Sequence, residues 1–198
     1  MKFNSIEFKG HSFFADGKIE FKDFNVIIGG NASGKTQLYN LLKEGLKGKT
    51  KGCKVKFTGK PTNVGCIFTN EMDLSELARS KQIEKIRVYP KECSEHSAEI
   101  VFRQGSAGAN YFAAFLFSIE LHNAMHANDP LVLDCVMSRL GHDWREKMMT
   151  VIRAQKRQVI MFEREHPKPD YLLVHNKKTA NTEVMEYKAK GGKNEDYY

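Results

Sequence analysis

Residues 29–36 read Gly-Gly-Asn-Ala-Ser-Gly-Lys-Thr and match the pattern G-x-x-x-x-G-K-[ST] at every fixed position. The residues before the motif, Phe24 to Ile28, form an apolar run typical of a buried strand. The residues after it, Gln37 to Leu42, have the apolar spacing of a helix. The chain therefore meets the strand–loop–helix context that this pattern requires, and we predict that the loop binds phosphate.

Each residue type in the motif has a role in this chemistry. Phosphates need a concave run of backbone N–H groups, which Gly29 and Gly34 permit because they have no Cβ. Lys35 is predicted to reach the β- and γ-phosphates of a nucleoside triphosphate, and the Thr36 hydroxyl to bind the Mg²⁺ that bridges them. The predicted nucleotide-binding residues are Gly29, Gly30, Asn31, Ala32, Ser33, Gly34, Lys35, Thr36 and Gln37.

A second apolar run, Pro130 to Leu133, ends in Asp134. A carboxylate at the carboxyl end of a buried strand lies where ligands gather in open α/β sheets, so Asp134 is predicted to complete the magnesium shell opposite Thr36. A helix-capping role for Asp134 is the alternative.

The length of 198 residues and the 41% hydrophobic content suit one core rather than two. We predict a single α/β domain over residues 1–187 that begins with an antiparallel hairpin in residues 1–23. One ring of this hairpin, from Phe8, His11, Phe13 or Phe14, is a candidate to stack on an adenine, with ordinary sheet packing as the alternative. The polar composition of residues 188–198 predicts a disordered tail.

The four cysteines include no C-x-x-C pair, which argues against a zinc site and a disulfide framework and suits a reducing cytoplasm. The longest apolar run, Tyr111 to Ile119, is too short to cross a bilayer, so we predict no membrane association.

The net charge of +7 is concentrated in part between Lys43 and Lys60, where seven lysines accompany one glutamate. Such a stretch could bind nucleic acid, or it could be a solvated helix end and loop. Both interpretations stay open at this point.

Taken in chain order, these motifs resemble those of the ABC-type ATPases, particularly the head domains of the SMC, RecF and OLD-like branch. The phosphate loop with Asn31 is similar to that branch's form, and Ser106-Ala107-Gly108 before a helix resembles its signature motif. Leu131 to Asp134 stands in the Walker B place, and Ser138 to Gly141 in the D-loop place.

The resemblance implies an α/β fold of the P-loop NTPase class, with a mixed sheet, N-terminal antiparallel strands and a reduced helical subdomain. It implies ATP and Mg²⁺ as ligands and a head-to-tail homodimer. It also implies catalytic roles for Lys35 and Asp134, and contacts from Ser106 and Gly108 to the nucleotide of a second subunit. Only residues 70–105 separate the Q-loop and signature places, which is too few for a coiled-coil insertion.

Several functional positions depart from the family pattern. Cys135 stands where the family has the glutamate that orients the attacking water, and a thiol is a poor substitute. The Q-loop glutamine is missing near Thr69-Asn70, and Glu163-Arg164 occupies the place of the switch histidine. Three other carboxylates are alternative bases, which the sequence leaves unranked: Asp143, Glu163 and Glu165.

Two hypotheses follow. In the first, the chain is a slow Mg²⁺-dependent ATPase whose nucleotide cycle drives dimerisation. In the second, it is a nucleotide-sensing module with little turnover that mimics or modulates a larger ATPase, DNA-processing or defence complex. In either case, any effector chemistry would belong to a protein partner.

Overall fold

The structure, a computed structural model, describes residues 1–60, 68–79, 87–88, 100–101, 106–126, 128–166 and 168–187. The strands are β1 (Lys2–Phe8), β2 (Gly17–Glu20), β3 (Phe24–Gly29), β4 (Cys53–Thr58), β5 (Phe68–Asn70), β6 (Arg87–Val88), β7 (Ile100–Val101), β8 (Leu131–Asp134), β9 (Val159–Glu163), β10 (Tyr171–Asn176) and β11 (Asn181–Glu186). The helices are α1 (Lys35–Leu46), α2 (Glu71–Arg79), α3 (Ala107–His126) and α4 (His142–Arg153).

The main sheet has six strands in the order β11-β10-β3-β9-β8-β5. Strands β10, β3, β9, β8 and β5 are parallel to one another, and β11 closes one edge antiparallel to β10. The central strands β3, β8 and β9 are buried along nearly their whole length, as their apolar sequences predict, because helices and a second sheet cover both faces. The predicted mixed α/β sheet is confirmed.

The second sheet has three antiparallel strands in the order β2-β1-β4. The predicted N-terminal hairpin is its β1–β2 pair, in which Ser5 faces Glu20. Burial alternates along β4 from Cys53 to Thr58, so one face packs on the core and the other faces solvent. The predicted N-terminal antiparallel strands are therefore confirmed, in a sheet separate from β3.

Two apolar clusters lie on opposite faces of the main sheet, and β8 contributes to both. Val132 belongs to the cluster with α1 and the three-stranded sheet, whereas Leu131 and Leu133 belong to the cluster with α2, α3 and α4. Because side chains alternate along a strand, Asp134 shares the face of Val132 and therefore lies on the side of α1. This alternation brings the end of β8 to the start of α1.

Helix α3 contains the longest apolar run of the sequence, and Tyr111 to Leu116 are all buried there. A helix that is apolar on all sides is typical of a position inside a core. None of the helices in the described ranges has the length and apolar character needed to span a bilayer. The predicted strand residues 64–67, the predicted helix residues 80–86 and the predicted tail at 188–198 lie outside the described residues.

A buried polar side chain, Gln158, ties the two sheets together just before β9. Its Oε1 accepts a hydrogen bond from Phe3 N at 2.7 Å, and its Nε2 donates to Phe3 O at 2.8 Å and to Lys22 O at 2.9 Å. Asn25 adds a second link, because its Nδ2 donates to Lys22 O at 2.8 Å and to Val159 O at 3.1 Å. These bonds satisfy backbone groups that have no strand partner there.

Candidate functional site

The loop between β3 and α1 depends on two glycines. A Cβ on Gly29 would lie 2.3 Å from Ser33 Oγ and 2.9 Å from the Leu173 carbonyl oxygen. Gly34 has a φ of +91°, and a Cβ there would lie 2.3 Å from the ring of Phe13. Any larger residue would therefore clash at either position, and at Gly34 it would also adopt a strained left-handed backbone.

Lys35 is the first residue of α1 and is 7% exposed. Its Nζ donates hydrogen bonds to the carbonyl oxygens of Gly29 at 2.6 Å and Gly30 at 2.9 Å. Burial lowers the pKa of Lys35, because desolvation disfavours the charged ammonium. A bound anion would reverse this penalty, so the loop holds a cation that favours a negative ligand.

Thr36 and Asp134 meet as the sequence predicts. Thr36 Oγ1 donates a hydrogen bond to Asp134 Oδ2 at 2.8 Å. Burial raises the pKa of Asp134, and hydrogen bonds from Thr36 and Cys135 oppose that rise. Within the described residues, no nitrogen or oxygen donor reaches the buried Asp134 Oδ1. A carboxylate oxygen that has no nitrogen or oxygen donor and lies beside a hydroxyl fits Mg²⁺, which prefers oxygen ligands.

A cavity of about 380 Å³ opens over this loop. Its lining residues are Phe13, Asn31, Ala32, Ser33, Gly34, Lys35, Thr36, Gln37, Glu71, Cys135, Ser138 and Arg164. Ser33 Oγ, which lies in the loop, is buried and has no hydrogen-bond partner in the described part of the chain. The loop is therefore open to a ligand and retains unsatisfied polar groups beside it.

No protein-family model matches the sequence, and no curated protein matches it. Solved structures do match the fold. The SMC head domain from Thermotoga maritima has a TM-score of 0.65 at 12% identity over 96% of this chain and 100% of that chain. An SMC head bound to the C-winged helix domain of ScpA has a TM-score of 0.61 at 10% identity, over 96% and 99% of the two chains.

CbiO1 from Clostridium perfringens, part of the ABC transporter complex CbiONQ, has a TM-score of 0.55 at 15% identity. That match covers 93% of this chain and 88% of CbiO1. The chain has the fold of an ABC-type P-loop ATPase head. The predicted P-loop NTPase class is thereby confirmed. At these low identities the similarity concerns the fold and not the individual site residues.

The signature-like residues of this chain lie outside the phosphate-loop cavity. Ser106 is exposed and caps α3, where its Oγ accepts a hydrogen bond from Ala109 N at 3.3 Å. Gly108 packs near Trp144, because a Cβ there would lie 3.1 Å from the indole Cδ1. A single chain therefore does not bring Ser106 and Gly108 to its own phosphate loop.

Of the four candidate rings, only Phe13 lines the phosphate-loop cavity. Phe8 and Phe14 are 2% and 1% exposed and pack in the core. His11 Nδ1 accepts hydrogen bonds from Phe13 N and Phe14 N, so its ring is committed to shaping the turn. The Phe13 ring stacks on His175 with centroids 5.7 Å apart, which holds it at the edge of the cavity.

Cys135 follows Asp134 with a φ of +55°. Burial raises the pKa of its thiol to about 12. The thiol therefore stays neutral at physiological pH and cannot accept a proton from water. A neutral thiol is a poor general base, so Cys135 is disfavoured as a replacement for the glutamate that ABC-type ATPases carry at this position.

The three carboxylates that the sequence left unranked differ sharply in their exposure to solvent. The side chains of Asp143 and Glu165 are 94% and 59% exposed, and Glu165 forms an ion pair with Arg145 at 3.0 Å. Glu163 is 3% exposed, and its Oε1 accepts a hydrogen bond from Met137 N at 3.1 Å. It lines a second cavity, of about 850 Å³, between α4 and the end of β9.

Sequence reasoning missed the cavity residue Glu71. It named Ser138 only as the start of the D-loop place, and it named Arg164 only as part of the place where the family has its switch histidine. Glu71 Oε2 accepts a hydrogen bond from Ser138 Oγ at 2.6 Å, and Glu71 Oε1 accepts one from Arg139 Nε. Glu71 directly follows the Q-loop place at Thr69-Asn70. A search one residue further along the chain would therefore have found this carboxylate.

Glu163→Gln is expected to stabilise the protein at pH 8 and to have little effect at pH 5. Burial raises the pKa of Glu163 from 4.5 to about 7. Between these values the folded chain binds more protons than the unfolded chain, so stability falls as the pH rises through this window. The full cost above pH 7 is at most about 3 kcal/mol, and a neutral glutamine avoids it.

Urea unfolding at both pH values, with EDTA and without nucleotide, measures this difference. Glu165→Gln is the control, since its carboxylate is largely exposed. An equal effect of Glu163→Gln at pH 5 and pH 8 would contradict the assignment of a buried, protonated carboxyl.

Proposed function

We propose that this chain binds ATP with Mg²⁺ in the phosphate-loop cavity and hydrolyses it slowly. The observation that carries this proposal is the set of unsatisfied groups around one cavity. Among the described residues, the buried Lys35 Nζ donates its hydrogen bonds to two loop carbonyls, and Ser33 Oγ and Asp134 Oδ1 lack nitrogen or oxygen partners. A polyphosphate carrying a divalent cation would satisfy these groups together.

Each residue of the cavity has a distinct part in this function. The backbone amides from Asn31 to Thr36 would surround the phosphates, and Lys35 would exchange its two carbonyl partners for phosphate oxygens. Thr36 and Asp134 would hold Mg²⁺, which neutralises charge on the β- and γ-phosphates when bound. Phe13 would supply the face on which the adenine stacks.

The position of the signature-like residues supports head-to-tail dimerisation as a part of this proposal. Ser106 is exposed on the surface and absent from the lining of the chain's own cavity, so it is free to contact the nucleotide of a second copy. Two copies placed head to tail would each complete the other's site, and ATP would then favour the closed dimer. In this dimer, Ser106 and Gly108 would contact the nucleotide bound by the other copy.

The molecular mass with and without ATP and Mg²⁺ tests the dimer. We expect a monomer without ligand and a dimer of twice that mass with ATP and Mg²⁺. Ser106→Arg should prevent the dimer and leave ATP binding to the monomer intact. Thr179→Arg, at an exposed turn residue, is the matched control and should dimerise normally. A molecular mass that does not change when ATP and Mg²⁺ are added would refute the dimer.

The second candidate function is a nucleotide sensor with little turnover, and the neutral thiol of Cys135 favours it. Release of inorganic phosphate under saturating ATP separates the two candidates. Steady release supports the ATPase, whereas tight binding without release supports the sensor. The free thiols of Cys53 and Cys135 suit a reducing compartment such as the cytoplasm for either function.

Two kinds of partner belong to the proposal. One of the similar structures is an SMC head bound to a domain of ScpA, and a protein partner that carries the effector activity is proposed here as well. Nucleic acid is the other. Between Lys43 and Lys60, six lysines are exposed: Lys47, Lys49, Lys51, Lys54, Lys56 and Lys60.

If these lysines bind nucleic acid, affinity for duplex DNA should fall steeply with salt. Six phosphate contacts lose roughly 1,000-fold in affinity between about 50 and about 200 mM salt, because each contact releases a counterion. Replacing Lys47, Lys49 and Lys51 together with glutamine should flatten this dependence. Replacing Lys177 and Lys178, exposed at the β10–β11 turn, is the control. Affinity that is independent of salt would exclude this surface.

A further inference from the structure

A glutamate follows the residue that pairs with Asp134 on each side of β8. Asn70 of β5 pairs with Asp134, and the next residue, Glu71, begins α2 and lines the same cavity as Cys135. Phe162 of β9 also pairs with Asp134, so Glu163 lies beside Cys135 on the other side. A carboxylate therefore follows the Asp134 pairing on both sides of β8, with Glu71 as the first residue of α2 and Glu163 as the last residue of β9.

Of these two glutamates, Glu71 lines the cavity over the phosphate loop, whereas Glu163 does not, although its charge still raises the pKa of Lys35. Glu71 lines the cavity together with Lys35 and Thr36, and its charge raises the pKa of Asp134. Glu163 lines the other cavity, and the Met137 amide holds its carboxyl there. The position of the ligand site therefore favours Glu71.

The surroundings of Glu71 also keep it ionised. Burial raises the pKa of Glu71, but hydrogen bonds from Ser138 and Arg139 and the charges of Arg139 and Arg164 bring it below its ordinary value. The side chain is 25% exposed, so water can reach it. Ser138 and Arg139 fix both oxygens in place, and the remaining lone pairs can accept a proton from water.

We propose that Glu71, and not Cys135 or Glu163, is the carboxylate that orients and deprotonates the attacking water. This inference rests on the proposed ATPase function. The water oxygen forms a bond to the γ-phosphorus while the bond from that phosphorus to the β–γ bridging oxygen breaks, and ADP leaves. The proton from water passes to the Glu71 carboxylate and from there to solvent, which leaves inorganic phosphate.

Steady-state phosphate release by a set of variants tests Glu71. Loss of a general base typically costs about 100-fold or more in kcat, so Glu71→Gln should lose at least this much turnover. ATP affinity, measured separately by equilibrium binding, should stay within about threefold, since the phosphate contacts remain. Glu163→Gln and the exposed control Asp143→Asn should each keep turnover within about threefold of the wild type.

Two further measurements separate catalysis from a structural role. Formate added to Glu71→Ala should restore turnover by about tenfold or more, because the small carboxylate can occupy the vacated space and take the proton. Ser138→Ala removes a partner of Glu71 but keeps its carboxylate, and should cost about tenfold or less. Glu71→Gln should also prolong the lifetime of the ATP-loaded dimer.

The outcomes are distinct. The assignment is overturned if Glu71→Gln turns over like the wild type, if Glu163→Gln carries the loss instead, or if Ser138→Ala costs as much and formate restores nothing. Wild-type protein that binds ATP without turnover also overturns it and leaves nucleotide binding standing. Wild-type protein that binds no ATP overturns the proposed function itself.

Discussion

Lys35→Ala is expected to weaken ATP binding by about 100-fold or more, since truncating one partner of a buried charge contact costs roughly 2–5 kcal/mol. The Lys35 ammonium is the cation at the base of the loop, and it is already desolvated before any ligand arrives. Its removal leaves the phosphate charge without this partner, while the loop amides remain. Equilibrium binding of ATP with Mg²⁺ measures the loss.

Lys47→Ala is the matched control, because Lys47 lies at the other end of the same helix and is exposed. It should bind ATP like the wild type. The two loop carbonyls that Lys35 contacts can accept hydrogen bonds from water in the variant, so we expect Lys35→Ala to stay folded. Unaltered ATP binding in folded Lys35→Ala would refute the phosphate-loop site.

Gln158→Leu is expected to lower the free energy of unfolding by at least about 3 kcal/mol, because each buried polar group left without a partner costs roughly 1–3 kcal/mol. The substitution removes the partner of three backbone groups, namely Phe3 N, Phe3 O and Lys22 O. Only Lys22 O keeps another side-chain donor, from Asn25. Denaturant unfolding measures the change.

The chain offers a close control in Gln155→Leu. Gln155 Nε2 donates one hydrogen bond, at 2.9 Å, to Val151 O at the end of α4. That carbonyl lies near the helix terminus, where water can replace the side chain, so the expected loss is below about 1 kcal/mol. Equal losses in the two variants would show that Gln158 does not link the sheets as described.

The phosphate loop is a part of the site that the local sequence predicts. Its glycine positions, its lysine and its threonine are close along the chain, and the backbone geometry that they require is local. The pairing of Thr36 with Asp134 joins residues 98 positions apart and was still predicted, because the carboxyl ends of parallel strands meet at one edge of a sheet.

The residues around Cys135 are a part of the site that the local sequence does not predict. Glu71 and Glu163 each follow a strand residue that pairs with Asp134, and the order β9-β8-β5 and the register of each pair set these positions. Strand order and register depend on how helices and sheets pack together, and a shift of one residue would turn either side chain to the opposite face. The same packing sets the burial that separates Glu163 from the exposed Asp143 and Glu165.

The sequence by itself determined the phosphate loop, the strands that precede and face it, and the α/β class, because these follow from short-range spacing and from apolar periodicity. The tertiary structure decided which ring, which carboxylate and which cation share the cavity over the loop. Those choices depend on contacts between residues far apart in the chain, which form only when the sheet assembles and its two faces are covered.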